Sequence, residues 1–193
     1  MPVCANESCN HSASLQCSIC TGVFYCSKDC QVTHWPQHKA VCSVSSIRLL
    51  PSGTFMVENI DSRHPIFKKG ELCPLTALYG HPILIYCPRL HSGRVEGNMA
   101  NNQAAVYLRI EPSDGLAPIS WQTDYLGDCL VARRDKKPIS KELLETMHQY
   151  HSSLLGSDYF EKIMEGVHPP GHNINQGEFQ KFYNEYWKQD GRD

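Results

Sequence analysis

This sequence of 193 residues contains no uninterrupted apolar run of 18 residues, which excludes a helix able to cross a hydrocarbon layer about 30 Å thick. It also lacks a block of cations. Its densest stretch, Arg133-Arg134-Asp135-Lys136-Lys137, is broken by an acid, and the formal net charge is −2. Binding nucleic acid depends on several Lys and Arg side chains displacing counterions from phosphates, so this balance speaks against that partner. The beginning, Met1-Pro2-Val3-Cys4, has no basic segment leading into an apolar stretch, so a secretory signal is not expected. A soluble intracellular chain is the expectation, in the nucleus or the cytosol, with no basic run to choose between them.

Cysteine is abundant in one place only. Of the ten cysteines, seven lie between Cys4 and Cys42, and Cys73, Cys87 and Cys129 follow far apart. Metal ligation explains that clustering better than a disulfide framework, and the last three read as buried thiols. In order, the ligand-type residues are Cys4, Cys9, Cys17, Cys20, Cys26, Cys30, His38 and Cys42, which fall into four close pairs. Tetrahedral zinc takes four thiolate or imidazole ligands, so eight make two closed sites, one Cys4 and one Cys3His. Closed sites imply a structural role. Spacing alone leaves open which pairs combine. His38 and Cys42, four apart, share one face of a short helix, and His34 lies on that face as a neighbour. A segment this short buries too little apolar surface to fold unaided, and zinc must supply the difference.

The pattern Cys-x4-Cys-x7-Cys-x2-Cys-x5-Cys-x3-Cys-x7-His-x3-Cys resembles the MYND finger at all eight positions. Phe24-Tyr25-Cys26-Ser27, Cys30-Gln31, His34-Trp35 and His38-Lys39 reinforce it, while the first gap of four is longer than the usual two. The resemblance implies interleaved sites: Cys4, Cys9, Cys26 and Cys30 on one zinc, Cys17, Cys20, His38 and Cys42 on the other. It further implies docking of a proline-containing peptide, with Gln31 and Trp35 as contact residues and strand pairing at the hairpin edge near Val23 to Tyr25. Equally open is that Trp35 packs within the finger only to stabilise it.

The expected architecture is a metal-stapled finger over residues 1–45 followed by an α+β unit over 46–193, with Ser43 to Ser46 as a short junction. Period-two or short apolar runs predict strands at Thr54 to Ile60, Ile83 to Cys87, Ala104 to Ile110 and Cys129 to Ala132. Beyond Pro138 the spacing turns helical: Leu143, Leu144, Met147, Tyr150 and Leu154 form one stripe, capped by Ser140. A second helix is expected around Tyr159, Phe160, Ile163 and Met164. A third carries Phe179, Phe182, Tyr183, Tyr186 and Trp187, with Asn175 and Glu178 as a capping box. These helices should pack on one side of a small sheet. Pro169-Pro170-Gly171, flanked by His168 and His172, reads as a surface turn. His148 and His151 read as exposed helical residues rather than ligands. Residues 100–190 also resemble the C-terminal region of MYND-finger proteins of filamentous fungi, through Ala117-Pro118-Ile119-Ser120-Trp121-Gln122 among other stretches, a resemblance that brings no chemistry with it.

The function expected is therefore a non-enzymatic interaction module, acting as an adaptor or co-regulator in transcription. The enzyme alternative is a MYND-containing methyltransferase of the SET type, but its Gly-x-Gly cofactor turn and Asn-His-[Ser/Cys] segment do not occur here. A ring-type ubiquitin ligase would place a histidine between Cys26 and Cys30, where none lies.

Overall fold

A computed structural model describes residues 1–94, 97–111, 113, 116–123, 125–154, 165 and 176–189. The chain starts with a two-stranded antiparallel hairpin, β1 (Leu15–Gln16) and β2 (Phe24–Tyr25), followed by helix α1 (Lys28–Val41). A single residue, Cys42, then separates α1 from strand β3 (Ser43–Leu49). The expected junction at 43–46 is thus strand, and a boundary at residue 45 would fall inside it. Three serines in four residues suggested a loop. They are accommodated because β4 pairs with all four residues: the Ser46 hydroxyl donates to the Glu58 carbonyl (3.1 Å), and Val44, two residues before it, is fully buried.

β3 pairs antiparallel with β4 (Phe55–Asp61) on one edge and β7 (Cys129–Arg133) on the other. β6 (Ile83–Tyr86) joins β7, and β5 (Glu71–Leu72) joins β6, giving the order β4-β3-β7-β6-β5. Alternation along each strand sends side chains to two faces. Ile47, Leu49, Ile83, Ile85 and Val131 enter the larger core. The opposite face, with Val44, Ile60, Leu84 and Leu130, is covered by Ile66 of the one-turn helix α2 (Ile66–Lys69). Two further short helices, α3 (Pro74–Leu78) and α4 (Pro88–Ser92), each begin on a proline, whose missing N–H costs nothing in a first helical turn.

The larger core collects α5 (Gln103–Leu108), α6 (Ile119–Thr123), α7 (Lys141–Leu154) and α8 (Gln176–Gln189), through Ala105, Leu108, Trp121, Leu144, Met147 and Phe179. The C-terminal helices α7 and α8 lie with α3, α5 and α6 on the sheet face opposite α2, as expected. Where a strand was expected over 104–110, the chain is helix as far as Leu108. Its buried residues Ala104, Ala105 and Leu108 follow helical spacing, and the Asn102 side chain caps the start by accepting the Ala105 N–H (3.2 Å). The Ser140 cap of α7 is present, its hydroxyl accepting the Leu143 N–H at 3.1 Å. Cys73, Cys87 and Cys129 are fully buried, and none of the ten cysteines is in a disulfide. The helix expected around Tyr159 to Met164, the turn with His168 and His172, and Asn175 lie outside the described residues.

Glu71 is the hub of a polar cluster at the β5 edge that joins residues far apart in the chain. It accepts from Trp121 Nε1 (3.3 Å) and pairs with His91 Nε2 (3.1 Å) and Arg109 Nη2 (2.9 Å). The hydrogen bond from His91 and the Arg109 charge hold the Glu71 carboxyl below its ordinary value against the cost of burial, and Glu71 in turn raises His91. The lowered carboxylate contributes stability above its ordinary 4.5, lost as pH falls through its folded value. The raised histidine contributes below its ordinary 6.5, lost as pH rises through its folded value. Both contributions are complete between those two values. Glu71→Gln is therefore expected to lower the urea midpoint more at about pH 6 than at about pH 8.5. Equal losses at both would remove the His91 pair from the account.

Candidate metal centre

The finger is built by turns that aim donors inward. After Cys17 the chain reverses: the Cys17 N–H donates to the Val23 carbonyl (2.8 Å) and the Thr21 N–H to the Cys17 carbonyl (2.9 Å). Thr21 takes a left-handed conformation (φ 55°), costly for a β-branched residue. Its hydroxyl is held by the Lys136 carbonyl at 3.0 Å. β2 then delivers Cys26, and Ser27 caps α1 by accepting the Cys30 N–H (3.2 Å), so Cys26 and Cys30 flank the cap. The N-terminal stretch folds back along β2. The Ala5 N–H donates to the Phe24 carbonyl (2.9 Å) and the Cys9 N–H to the Asn6 carbonyl (2.8 Å), carrying Cys4 and Cys9 to the same place.

Two clusters result, Cys4 with Cys9, Cys26 and Cys30, and Cys17 with Cys20, His38 and Cys42, and within each the donor atoms lie within 4.8 Å of one another. In the first, the Cys9 and Cys26 sulfurs are 3.4 Å apart and those of Cys26 and Cys30 3.5 Å. In the second, His38 Nε2 is 3.4 Å from the sulfurs of both Cys17 and Cys20. Ligands at about 2.3 Å (sulfur) and about 2.0 Å (nitrogen) on a tetrahedron are about 3.5–3.8 Å apart. The residues therefore fit two zinc ions, and the clusters interleave. The second cluster is buried more completely than the first. Between them sits Tyr25, fully buried, its hydroxyl hydrogen-bonded to His34 Nδ1 at 3.1 Å. His34 thus contacts the hydrogen-bonding partner of the finger's core, one turn from His38, on which its ring stacks.

The electrostatics suit a cation. Burial lowers His38 below the ordinary imidazole value, helped by His34, which favours the neutral form that a metal takes. Burial pushes the Cys17 thiol up, yet the backbone N–H groups of Cys20 and Ile19 outweigh it and leave it lowered. The Ser27 hydroxyl brings Cys30 down to about 7. Hydrogen bonds with Cys9 and Cys30 push Cys26 up to about 12, and burial beside the Cys20 and Cys17 thiolates does the same to Cys42. Each cluster holds its protons unequally among crowded sulfurs, and a divalent ion relieves that crowding by replacing the protons.

Gln31 and Trp35 lie one turn apart on α1, both half-buried. Trp35 meets His38 edge to face at 5.9 Å and lines a groove of about 430 Å³. Gln31 does not line it. The far wall comes from the end of β4, Asp61 to Arg63, a contribution with no signal in the sequence because it depends on the sheet lying beside the finger. The hairpin edge near Val23 to Tyr25 is not open as expected: the outward carbonyl, that of Phe24, already accepts from Ala5. The shared cluster draws the Cys4-to-Cys9 stretch over that edge, and β1, with Leu15 and Gln16 exposed, carries the outer edge of the hairpin. His148 and His151 also differ from expectation. His151 is fully buried and stacks on Tyr79, His148 stacks on Tyr107, and neither belongs to a metal cluster among the described residues.

The sequence profile of the MYND finger matches residues 4–42, the span that runs from the first to the last of the eight donors. Residues 4–42 are a MYND finger. The chain is similar to a zinc finger MYND domain-containing protein 10 homolog of Drosophila melanogaster, with 51% identity over 35 residues. That match covers 18% of this chain and 8% of the fly protein, so the chain spans a small fraction of its relative's length. No solved structure matches the chain. The MYND finger here is a zinc-binding module for protein–protein interaction, itself non-catalytic, and it is joined to an α+β unit with a small antiparallel sheet and C-terminal helices.

Proposed function

We propose that Cys4, Cys9, Cys26 and Cys30 hold one zinc ion and Cys17, Cys20, His38 and Cys42 the other, and that the finger they fold docks a proline-containing segment of a partner protein through Trp35 and Gln31. The observation that carries this reading is the position of Trp35. Its ring meets His38, one of the eight donors, and the same residue lines a groove. An aromatic wall held rigid by a metal cluster suits the extended, preformed ridge of a proline segment. With four protein ligands each, the ions have no open position to activate water, so they shape a surface and the protein acts as a non-enzymatic adaptor, in our reading within transcriptional regulation. Thiolates kept free for zinc suit a reducing compartment, which supports a nuclear or cytosolic location in this reading. The near-neutral charge supports protein rather than nucleic acid as the partner.

Trp35→Ala is expected to weaken binding of a proline-containing peptide at least tenfold, roughly the effect of removing an aromatic anchor, while two zinc ions per chain are retained. Titration calorimetry beside elemental analysis checks both. Loss of zinc together with binding would reassign Trp35 to holding the finger together.

A further inference from the structure

Resting on that docking reading, we infer that the groove between α1 and the end of β4 is a composite site, built jointly by the finger and the sheet unit, for an extended partner segment in which an acidic residue neighbours the proline. The floor is apolar and belongs to the finger: Ile19, Trp35, Pro36 and Ala40. The facing wall is Asp61, Ser62 and Arg63. A volume of about 430 Å³ lies within the range of ligand-sized clefts, about 300–1,000 Å³.

Charge selects the occupant. The rim carries two cations, Lys39 and Arg63, against one carboxylate, Asp61. Arg63 binds Asp61 through Nε (3.0 Å) and Nη2 (2.9 Å), and its backbone N–H donates to the same carboxylate (2.7 Å), so that carboxylate is already neutralised. Lys39 is exposed and forms no ion pair among the described residues. The surplus charge is positive and stands beside an apolar floor, which complements a segment that is apolar at one point and acidic at the next.

The two walls are held at a set distance. Cys42 lines the groove, belongs to the second metal cluster and is the lone residue between α1 and β3. Thr21 Oγ1 donates to the Lys136 carbonyl (3.0 Å), and Lys136 Nζ donates to the Ser62 carbonyl (3.3 Å) while lying over the Phe67 ring. A groove preorganised in this way loses little freedom when it is filled.

The test uses the full chain and two fluorescent peptides, Ala-Pro-Ala-Pro-Ala-Asp-Asp and its Asn-Asn counterpart, followed by anisotropy at low and high salt. The Asp form is expected to bind about two- to fivefold more tightly, the gain of an exposed charge contact, and to lose that advantage as salt rises. Lys39→Glu, at an exposed position and checked for zinc content, is expected to reverse the preference. Equal binding of both peptides, unmoved by Lys39→Glu, would overturn the composite site and leave docking on Trp35 standing. No binding of either peptide by protein that holds two zinc ions would remove the docking reading itself. A dimer seen by light scattering, abolished by Lys39→Glu and not dissolved by the peptides, would assign the groove to a second copy and likewise overturn the inference.

Discussion

Replacing His38 with alanine, or stripping the ions with a strong chelator, is expected to unfold residues 4–42 while the five-stranded sheet stays folded. The finger has little else to hold it. Tyr25 is its one large side chain with no exposed surface, and the other buried members of its cluster are Ala13 and the donors Cys4, Cys17 and Cys20. Its strands are two residues each. Structural zinc contributes about 10–16 kcal/mol in comparable peptides, far more than this burial supplies. The sheet, by contrast, has cores on both faces that do not include the finger. Acid should act in the same direction as chelation. Thiols with an ordinary pKa of about 8.5 are held as thiolates by the ion, so stability present at neutral pH is lost as protons compete for sulfur. Hydrogen exchange read segment by segment checks this outcome: amides of 4–42 that stay protected in chelated protein would contradict it.

Asn102→Ala is expected to destabilise the sheet unit by about 3–5 kcal/mol, the sum of a lost cap and two stranded carbonyls. Asn102 is fully buried, and its three hydrogen bonds tie three parts of the chain. Nδ2 donates to the carbonyls of Leu49 at the end of β3 and Gly127 before β7 (2.9 Å each), and Oδ1 accepts from Ala105 in α5. Alanine leaves both carbonyls buried without a partner and removes the cap together with them. For a chain of this size the fall in Tm is about 10 °C. Thermal unfolding followed by circular dichroism measures it, and a shift within 2 °C or so would mean that solvent reaches those carbonyls in the variant.

Asn102 also shows why part of the fold could be read from the sequence and part could not. The stretch Ala104 to Ile110 looks like a strand because short apolar runs satisfy either period. The decision for helix rests on a cap whose other two hydrogen bonds lie 53 and 25 residues away. Ser43 to Ser46 misled for the same kind of reason, since a serine-rich stretch extends a strand only when a neighbour takes up its backbone groups: β4 pairs with all four residues, and β7 reaches Ser46. Long periodic segments needed no such help. The stripe Leu144, Met147 and Tyr150 and the cap at Ser140 define α7 locally, and the structure buries those three residues. The Glu71, His91, Arg109 and Trp121 cluster had no sequence signal at all, because its members are brought together by β5, α4, α5 and α6 converging at one sheet edge.

By itself the sequence determined that this protein carries a two-zinc finger, because eight donors at those spacings serve few purposes other than enclosing two tetrahedral ions, and chain reach over such short gaps is a local property. Only the tertiary structure shows what makes the pairs interleave, as the resemblance implied and spacing left open: the N-terminal stretch lies back along β2. The tertiary structure also decided that Trp35 faces a groove whose second wall belongs to the sheet unit. That wall exists because one residue joins α1 to β3, so the finger and the end of β4 are set side by side by a connection too short to let them part.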